Sequence, residues 1–338
     1  MLNFVWIYGL GEYNYEMAIL VTGGAGFIGT HLVEHLVTTG EQIIVIDDFS
    51  SNNDFSSKDL KTNKLVKIVK GSILDQKLVE ESMQAVTKCY HLAAALGVER
   101  INNDPLQSLE VNIKGTENVL KAASKFKVRT LTASSSEVYG RNPKMPLTED
   151  SDRVLGSPKI ARWSYSEAKA IDEFYAFELH KKSSFEVTIA RLFNTVGPGQ
   201  SGIYGMVLPR FIKAALSNQA LIVYGDGSQS RSFCAVSDVV EALDSLMNTS
   251  ESIGQAYNVG STNEISIKEL AQKVIDLTGS KSQLVFKKHS EIFGDNFEEP
   301  ARRVPDISKI SKVIGWQPKK SLDVIILEVA EYIKANEV

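Results

Sequence analysis

Cysteine is scarce, with two in 338 residues, and neither Cys89 nor Cys234 has neighbours at metal-ligand spacing. Both sit in apolar segments, so buried, reduced thiols are expected rather than disulfides. The five histidines, His31, His35, His91, His180 and His289, form no HExxH or paired-ligand pattern, which argues against a metal. An excess of charge of one sign is also missing. The formal net charge is -4 and the basic residues are scattered, so no electrostatic footprint for nucleic acid exists. Short pairs such as Lys287–Lys288 and Arg302–Arg303 read as solvated surface. Long hydrophobic runs are absent too. The apolar stretch Phe4 to Tyr8 is far shorter than the ~20 residues of a membrane helix, and nothing beside it resembles a signal peptide. The expectation is therefore a cytoplasmic protein with no membrane contact. Residues 1–16 read as an N-terminal extension, either a disordered leader or a segment ahead of a true start at Met17.

What is present is an ordinary globular composition, 43% hydrophobic and 23% charged, long enough for two lobes. Short β-branched runs at Ala18–Thr22, Gln42–Ile46, Val66–Lys70, Cys89–Leu92, Arg129–Ala133 and Glu186–Arg191 alternate with apolar residues at helical spacing. Strands separated by helices imply right-handed crossovers and a parallel sheet covered on both faces. The fold class expected is α/β, a doubly wound parallel (Rossmann) sheet, with a smaller α/β substrate-binding lobe. The texture changes after Asn194: glycine-rich loops lead into a helix over Val207 to Leu216, and an amphipathic helix closes the chain from about Ser321 to Ala335. The expected division is a cofactor domain over 17–195 and a substrate lobe over 196–338, with about 234–260 returning to the first domain. No repeat or low-complexity linker separates the lobes, so the ligand cleft belongs between them.

Two constellations carry chemistry. The strand Ile19 to Thr22 runs into Gly23-Gly24-Ala25-Gly26-Phe27-Ile28-Gly29 and then into a helix. Such glycines permit a tight turn and close approach of backbone to a pyrophosphate, while the helix start supplies free N–H groups. Asp47 ends the next strand, near the spacing of a carboxylate that bonds an adenosine ribose. The stretch Asp47 to Asp54 has three aspartates and no cation, so NAD is favoured over NADP. Second, Tyr165 and Lys169 stand four apart on one helix face. An ammonium near a phenol favours phenolate and lowers its pKa towards a usable base. Upstream, Ser134 to Gly140 places hydroxyls and the Glu137 carboxylate at a strand's C-terminal end, where open α/β sheets bind ligands.

With these motifs in hand, the chain resembles the nucleotide-sugar branch of the extended short-chain dehydrogenase/reductase family. The matching segments are TGGAGFIG (22–29), HLAA (91–94), NIKGTENVL (112–120), SSSEVYG (134–140), YSEAK (165–169), RLFNTVGPGQ (191–200), VYGDGSQSRSF (223–233) and RRVPDISK (302–309). They run in family order over nearly the whole chain. The resemblance implies NAD bound by Gly23, Gly26, Phe27, Ile28, Gly29, Asp47, Ser72, Ile73, Leu92, Ala93 and Ala94, with Tyr165 and Lys169. Tyr165 would be the base, Lys169 would hold the nicotinamide ribose and tune Tyr165, and Ser135 would bond the hydroxyl being oxidised. Asn194, Val207, Leu208, Tyr224 and Arg231 would line a nucleotide-diphosphate pocket, with the Arg231 fork on a phosphate. A UDP-linked sugar is the implied ligand. Helices around Pro105–Phe126 and Ser164–Lys182 carry apolar residues beyond one stripe, and relatives pair such helices into a C2 homodimer.

The family's reactions share one opening, oxidation at sugar C4. The Ser136–Glu137 pair before Val-Tyr-Gly resembles UDP-glucuronate decarboxylases; dehydratases resemble one another in Asp-Glu there, and 4-epimerases in a small residue at Glu137. Arg303, two before Pro305, and Arg162-Trp163-Ser164-Tyr165 point the same way, since a cation near C6 would orient a carboxylate while Glu137 handled protons at C5. Two departures stand against the pattern. Ser72-Ile73 replaces the Asp-Ile of many relatives, and Met206 stands where UDP-xylose-forming enzymes have Arg. The expected activity is decarboxylation of UDP-glucuronate or its N-acetyl analogue. UDP-sugar 4-epimerisation is the alternative, followed by 4,6-dehydration or a non-catalytic NAD-binding scaffold.

Overall fold

The computed structural model describes residues 18–50, 58–84, 86–95, 104–202, 206–288 and 298–336. The expected extension 1–16, with Met17, Asp54 and His289, lies outside them.

In β1 (Ala18–Thr22) and β2 (Ile43–Asp47) every residue is buried, because both faces of the sheet are covered. Alternate side chains enter opposite cores: Ile19, Val21, Ile43 and Val45 one, Ala18, Leu20, Ile44 and Ile46 the other. With β3 (Val66–Lys70), β4 (Val86–His91), β5 (Arg129–Ser135), β6 (Val187–Leu192) and β11 (Gln255–Val259) they form a seven-stranded parallel sheet, ordered β3-β2-β1-β4-β5-β6-β11. The doubly wound fold read from the sequence is the observed one. β2 and β6 are each shifted by one residue from the expected bounds, and β4 and β5 differ more. β4 begins at Val86, where partial exposure hid it from a hydrophobic reading, and β5 runs on through polar Ser134 and Ser135, paired with Arg191 and Leu192.

One face is covered by α1 (Phe27–Thr38), α8 (Val236–Met247) and α10 (Ser308–Ile314). The other face carries α3 (Gln76–Met83), α5 (Thr116–Phe126) and α6 (Arg162–Ser183); α2 (Lys58–Thr62) precedes β3. The helix expected over Pro105–Phe126 is broken. α4 (Pro105–Leu109) passes through a π-helical turn, Glu110–Gly115, before α5. Buried Asn112 explains the distortion: its side chain bonds the Ala95 N–H at 2.8 Å and the Ala95 carbonyl at 2.9 Å, pinning the helix to the chain beyond β4.

The second lobe has its own core. α7 (Val207–Leu216), α9 (Ile267–Thr278) and α11 (Leu322–Asn336) meet through Leu208, Phe211, Ile212, Leu270, Val274, Ile326 and Val329. A reciprocal Ser266–Glu269 capping box opens α9. Parallel β8 (Leu221–Tyr224) and β13 (Leu284–Lys287) flank this core. Two short pairs complete the strands: parallel β7 (Thr195–Val196) with β10 (Cys234–Ala235), and antiparallel β9 (Ser230–Ser232) with β12 (Glu264–Ser266). Cys89 and Cys234 are buried free thiols. Among the described residues no helix is long and apolar enough to cross a membrane.

The sheet order reverses between β1 and β4, and there the two strand ends converge. A Cβ on Gly23, at φ +71°, would lie 2.6 Å from the Ala93 backbone nitrogen. Gly23→Ala therefore combines left-handed strain with a backbone clash and should destabilise by about 1–3 kcal/mol. Gly40→Ala, at φ +79° with open space around it, should cost about 1 kcal/mol from the backbone alone. Urea denaturation of the two variants checks the difference; equal losses would remove the clash as a cause.

Candidate active site

The glycine loop sits at this reversal. Gly26 caps α1 without any side-chain bond, so the first N–H groups of the helix face the C-terminal edge of the sheet. A Cβ on Gly29 would lie 2.1 Å from the Gly23 carbonyl oxygen, so helix and turn are in direct backbone contact. Asp47 fastens the loop from the side. Its carboxylate accepts from the Ala25 N–H at 2.9 Å and from the Phe49 N–H at 2.8 Å, leaving further lone pairs on each oxygen. Burial raises its pKa, with those N–H groups opposing. Leu92, Ala93 and Ala94 follow β4 at the same edge, and Leu92 N–H donates to the Thr22 carbonyl at 3.0 Å. Ser72 Oγ accepts from the Leu74 N–H at 3.2 Å, and Ile73 is buried against Gly115. A cradle closed to any Cβ, bare helix N–H groups and a carboxylate beside them fit a dinucleotide.

Ser135, Tyr165 and Lys169 converge one strand further along. Ser135 ends β5 and caps the 3₁₀ turn Ser136–Tyr139, accepting from the Glu137 N–H at 3.2 Å. Its hydroxyl also bonds the half-buried Tyr165 phenol. Ser136 is buried at the head of the turn. Lys169, one helical turn beyond Tyr165, is 2% exposed. The sequence expectation that Lys169 brings Tyr165 into the neutral range needs correction. Burial dominates and raises the phenol pKa, while Lys169 and Ser135 pull it down only in part. The ammonium is itself ion-paired to Asp172 at 3.1 Å, a residue that the sequence reading missed. The signal existed, since Asp172 is three residues after Lys169 on one helix face.

Glu137 joins the lobes. Its Oε1 accepts from Arg303 Nη1 at 2.7 Å and from Arg162 Nη2 at 3.3 Å. Burial works against its charge, yet Arg162, Arg303 and Arg231 together hold the carboxyl down at about 2. The carboxyl is therefore ionised at neutral pH. The Arg302–Arg303 pair splits. Arg302 is exposed on Glu264, whereas Arg303 is 5% exposed, with Nε and Nη2 buried and without a hydrogen-bond partner among the described residues. Arg231 donates to Glu299 at 2.5 Å and is lowered to about 10, by burial first and then by Arg303. Among the described residues, three guanidiniums gather around Glu137 and Glu299.

The remaining pocket candidates are dispersed by role. Asn194 Nδ2 donates to the Ser232 carbonyl at 2.9 Å, a tie between β7 and β9. Val207 begins α7, while the Leu208 side chain is buried in the second core and can offer a ligand only its backbone. Tyr224 accepts from Arg210 Nη1 at 2.7 Å, and that guanidinium stands 4.6 Å over the ring.

Glu137→Gln would leave Arg162 and Arg303 buried without their counter-charge, so the variant should lose about 3–5 kcal/mol at pH 7. The folded-state pKa lies below the ordinary carboxylate value, so this stability is present above pH ~4.5 and fades towards about 2. The difference between variant and parent should shrink accordingly in denaturation series at pH 7 and pH 3.

Comparison with known proteins bears on what this site serves. A family model described as GDP-mannose 4,6 dehydratase matches residues 20–329. The UDP-N-acetyl-alpha-D-glucosaminuronate decarboxylase of Bacillus cytotoxicus is 38% identical over 319 residues, covering 94% of this chain and 98% of that protein. UDP-glucuronic acid decarboxylase 2 of Arabidopsis thaliana is 34% identical, over 93% of this chain and 67% of its own. Among solved structures, the UDP-glucuronic acid 4-epimerase of Bacillus cereus, in complex with UDP-glucuronic acid and NAD, superposes with a TM-score of 0.85 at 28% identity, covering 94% of this chain and 99% of that one. The glycine cradle, the Ser–Tyr–Lys cluster and these matches across nearly the whole length agree: the chain belongs to the nucleotide-sugar branch of the extended short-chain dehydrogenase/reductase family.

Proposed function

We propose that the protein is an NAD-dependent decarboxylase of UDP-linked hexuronates, acting on UDP-N-acetylglucosaminuronate or UDP-glucuronate through transient oxidation at C4. The observation that carries this reading is Arg303, buried with two unpartnered nitrogens beside an ionised Glu137, in a chain whose relatives at 38% and 34% identity are uronate decarboxylases. NAD, when bound, supplies an electron-pair acceptor for the hydrogen on C4. Gly23, Gly26, Phe27, Ile28 and Gly29 would hold its pyrophosphate end, Asp47 a ribose, and Ser72, Ile73 and Leu92 to Ala94 the flanks. Tyr165 takes the C4 hydroxyl proton, Ser135 orients that hydroxyl, and Lys169 anchors the ribose. The C6 carboxylate is then β to a ketone and leaves as carbon dioxide; C5 takes up a proton, and return of the hydrogen from the cofactor to C4, with the proton from Tyr165 to the oxygen, would restore NAD. Arg303 and Arg162 steer that carboxylate, and Ser136 and Glu137 lie beside the carbon that must be reprotonated. Arg231, Asn194, Tyr224, Val207 and Leu208 would hold the nucleotide diphosphate. In this reading residues 17–195 carry the cofactor and 196–338 the nucleotide, with about 234–260 built onto the first domain.

A 4-epimerase is the second reading, favoured by the fold match to an enzyme that also takes a uronate. Incubation with each UDP-uronate and catalytic NAD decides between them by mass spectrometry and NMR. Loss of carbon dioxide is expected; unchanged mass with inversion at C4 would establish the epimerase. Tyr165→Phe should lower turnover ~10²–10⁴-fold while NAD stays bound. NAD should bind well and NADP poorly, and Asp47→Ala should narrow the gap; equal affinities in the parent protein would refute Asp47's role.

The reading includes a C2 homodimer, and a cytoplasmic setting that suits two unpaired thiols. Leu106 on α4 is 77% exposed, and Phe174 and Ile171 on the adjoining α6 are 64% and 44% exposed. Such a cluster needs a partner surface. Phe174→Glu should shift the mass by light scattering from dimer to monomer at micromolar concentration, and a monomeric parent protein would overturn the assignment.

A further inference from the structure

A hydrogen-bonded chain runs from the cofactor loop to the catalytic helix. Thr22 Oγ1 lies 2.7 Å from His91 Nδ1, His91 Nε2 lies 3.0 Å from Thr116 Oγ1, and the Thr116 hydroxyl donates to Asp172 Oδ2 at 3.3 Å. Lys169 Nζ donates to the same carboxylate oxygen at 3.1 Å, with both side chains at most 5% exposed. Burial, and then Lys169, keep the imidazole neutral by lowering its pKa to about 3. A neutral ring has one N–H. Thr116 gives its only hydrogen to Asp172, so it accepts from Nε2–H, and Nδ1 accepts from Thr22. Every hydrogen in the chain points towards Asp172. The groups facing Asp172 are Lys169, Tyr165 and Glu173 from its own helix, Thr116 from α5 and, through Thr116, His91 from β4.

We propose that Asp172 is a positioning residue that sets the basicity of Tyr165, by fixing the Lys169 ammonium in place and offsetting its charge. The inference rests on the reading of Tyr165 as the base. Without Asp172, a bare ammonium would acidify the phenol and yield a weaker base. With it, Tyr165 ionises later and takes a proton more strongly; after burial, the charges that raise the phenol are Glu137 and then Asp172, against Lys169 and Ser135, which lower it. Donors converging on the carboxylate oppose the burial that raises Asp172 itself to about 6.

Asp172→Asn retains the shape and an acceptor for Lys169 but removes the charge. In kcat/KM against pH for UDP-N-acetylglucosaminuronate with saturating NAD, the acid-limb midpoint should fall by about one pH unit, with the plateau within a few-fold of the parent. Phenolate absorbance, taken as the difference from a Tyr165→Phe background with and without NAD, should move the same way. Asp172→Glu should return the midpoint towards that of the parent. Should Asp172→Asn fold poorly, the smaller and equally uncharged Asp172→Ser must shift the midpoint in the same direction. An unmoved midpoint with rates lowered equally at all pH values overturns the proposal and leaves Asp172 a structural role. If Tyr165→Phe keeps its turnover, the base reading fails instead, while the absorbance difference still reports whether Asp172 governs the phenol.

Discussion

An ammonium taken out of water is the constraint around which the site is arranged. Lys169 is 2% exposed, and an ion so buried costs several kcal/mol unless a counter-charge and donors or acceptors surround it. Asp172 supplies the charge, but a buried carboxylate needs its own donors, and these come from Thr116 and, behind it, His91 and Thr22. Thr22 is the last residue of β1, immediately before the turn that only glycine can make. The demand of one buried cation thus couples the cofactor loop, β4, α5 and the catalytic helix into one unit. Displacing any of them breaks a chain of buried polar groups, each of which then loses a partner.

A second buried network stands beside the first and differs in its charge balance. Glu173 and Arg191 form a matched pair, with the guanidinium on both carboxylate oxygens at 2.6 to 3.2 Å. Arg191 also bonds Tyr139, which donates to Asn258 on β11 at 2.6 Å, so this pair knits β5, β6 and β11 beneath the site. Around Glu137, among the described residues, two Arg303 nitrogens have no hydrogen-bond partner. A satisfied pair supports structure. An unsatisfied cation of the same kind, at the junction of two lobes, is where an incoming anion gains most.

The periodic and glycine-bearing parts of the molecule were legible in the sequence. β1, β3 and α7 have the bounds that hydrophobic patterning suggested: β1 is buried along its whole length, β3 sets β-branched residues between two lysines, and α7 repeats its buried residues at helical spacing. The Gly23 to Gly29 turn and the Tyr165–Lys169 pair are legible because their spacing follows from backbone geometry, whereas Ser135 is singled out only by the family resemblance. The π-helical turn was not, because it arises from Asn112 reaching Ala95 across the fold. Nor was the pairing of Arg231 with Glu299, or the burial of Arg303 beside an exposed Arg302, since both depend on how residues 298–303 lie over the first lobe. Local sequence encodes which face a residue occupies, but not which distant charge it meets there.

That segment explains why the lobes are best regarded as one catalytic surface. Glu298 accepts from Trp163 Nε1 at 2.9 Å and pairs with Arg141 at 3.1 Å; Glu299 holds Arg231, and Arg303 holds Glu137. Trp163 and Arg162 begin the helix that carries Tyr165, two and three residues before the phenol. Any shift of residues 298–303 would therefore move the start of the catalytic helix and redistribute charge around Glu137 together. Under the proposed reading, the pocket removes a proton at one carbon and steers a carboxylate two carbons away, which needs these positions to be correlated. Tying both to one segment of the second lobe provides that correlation through hydrogen bonds alone.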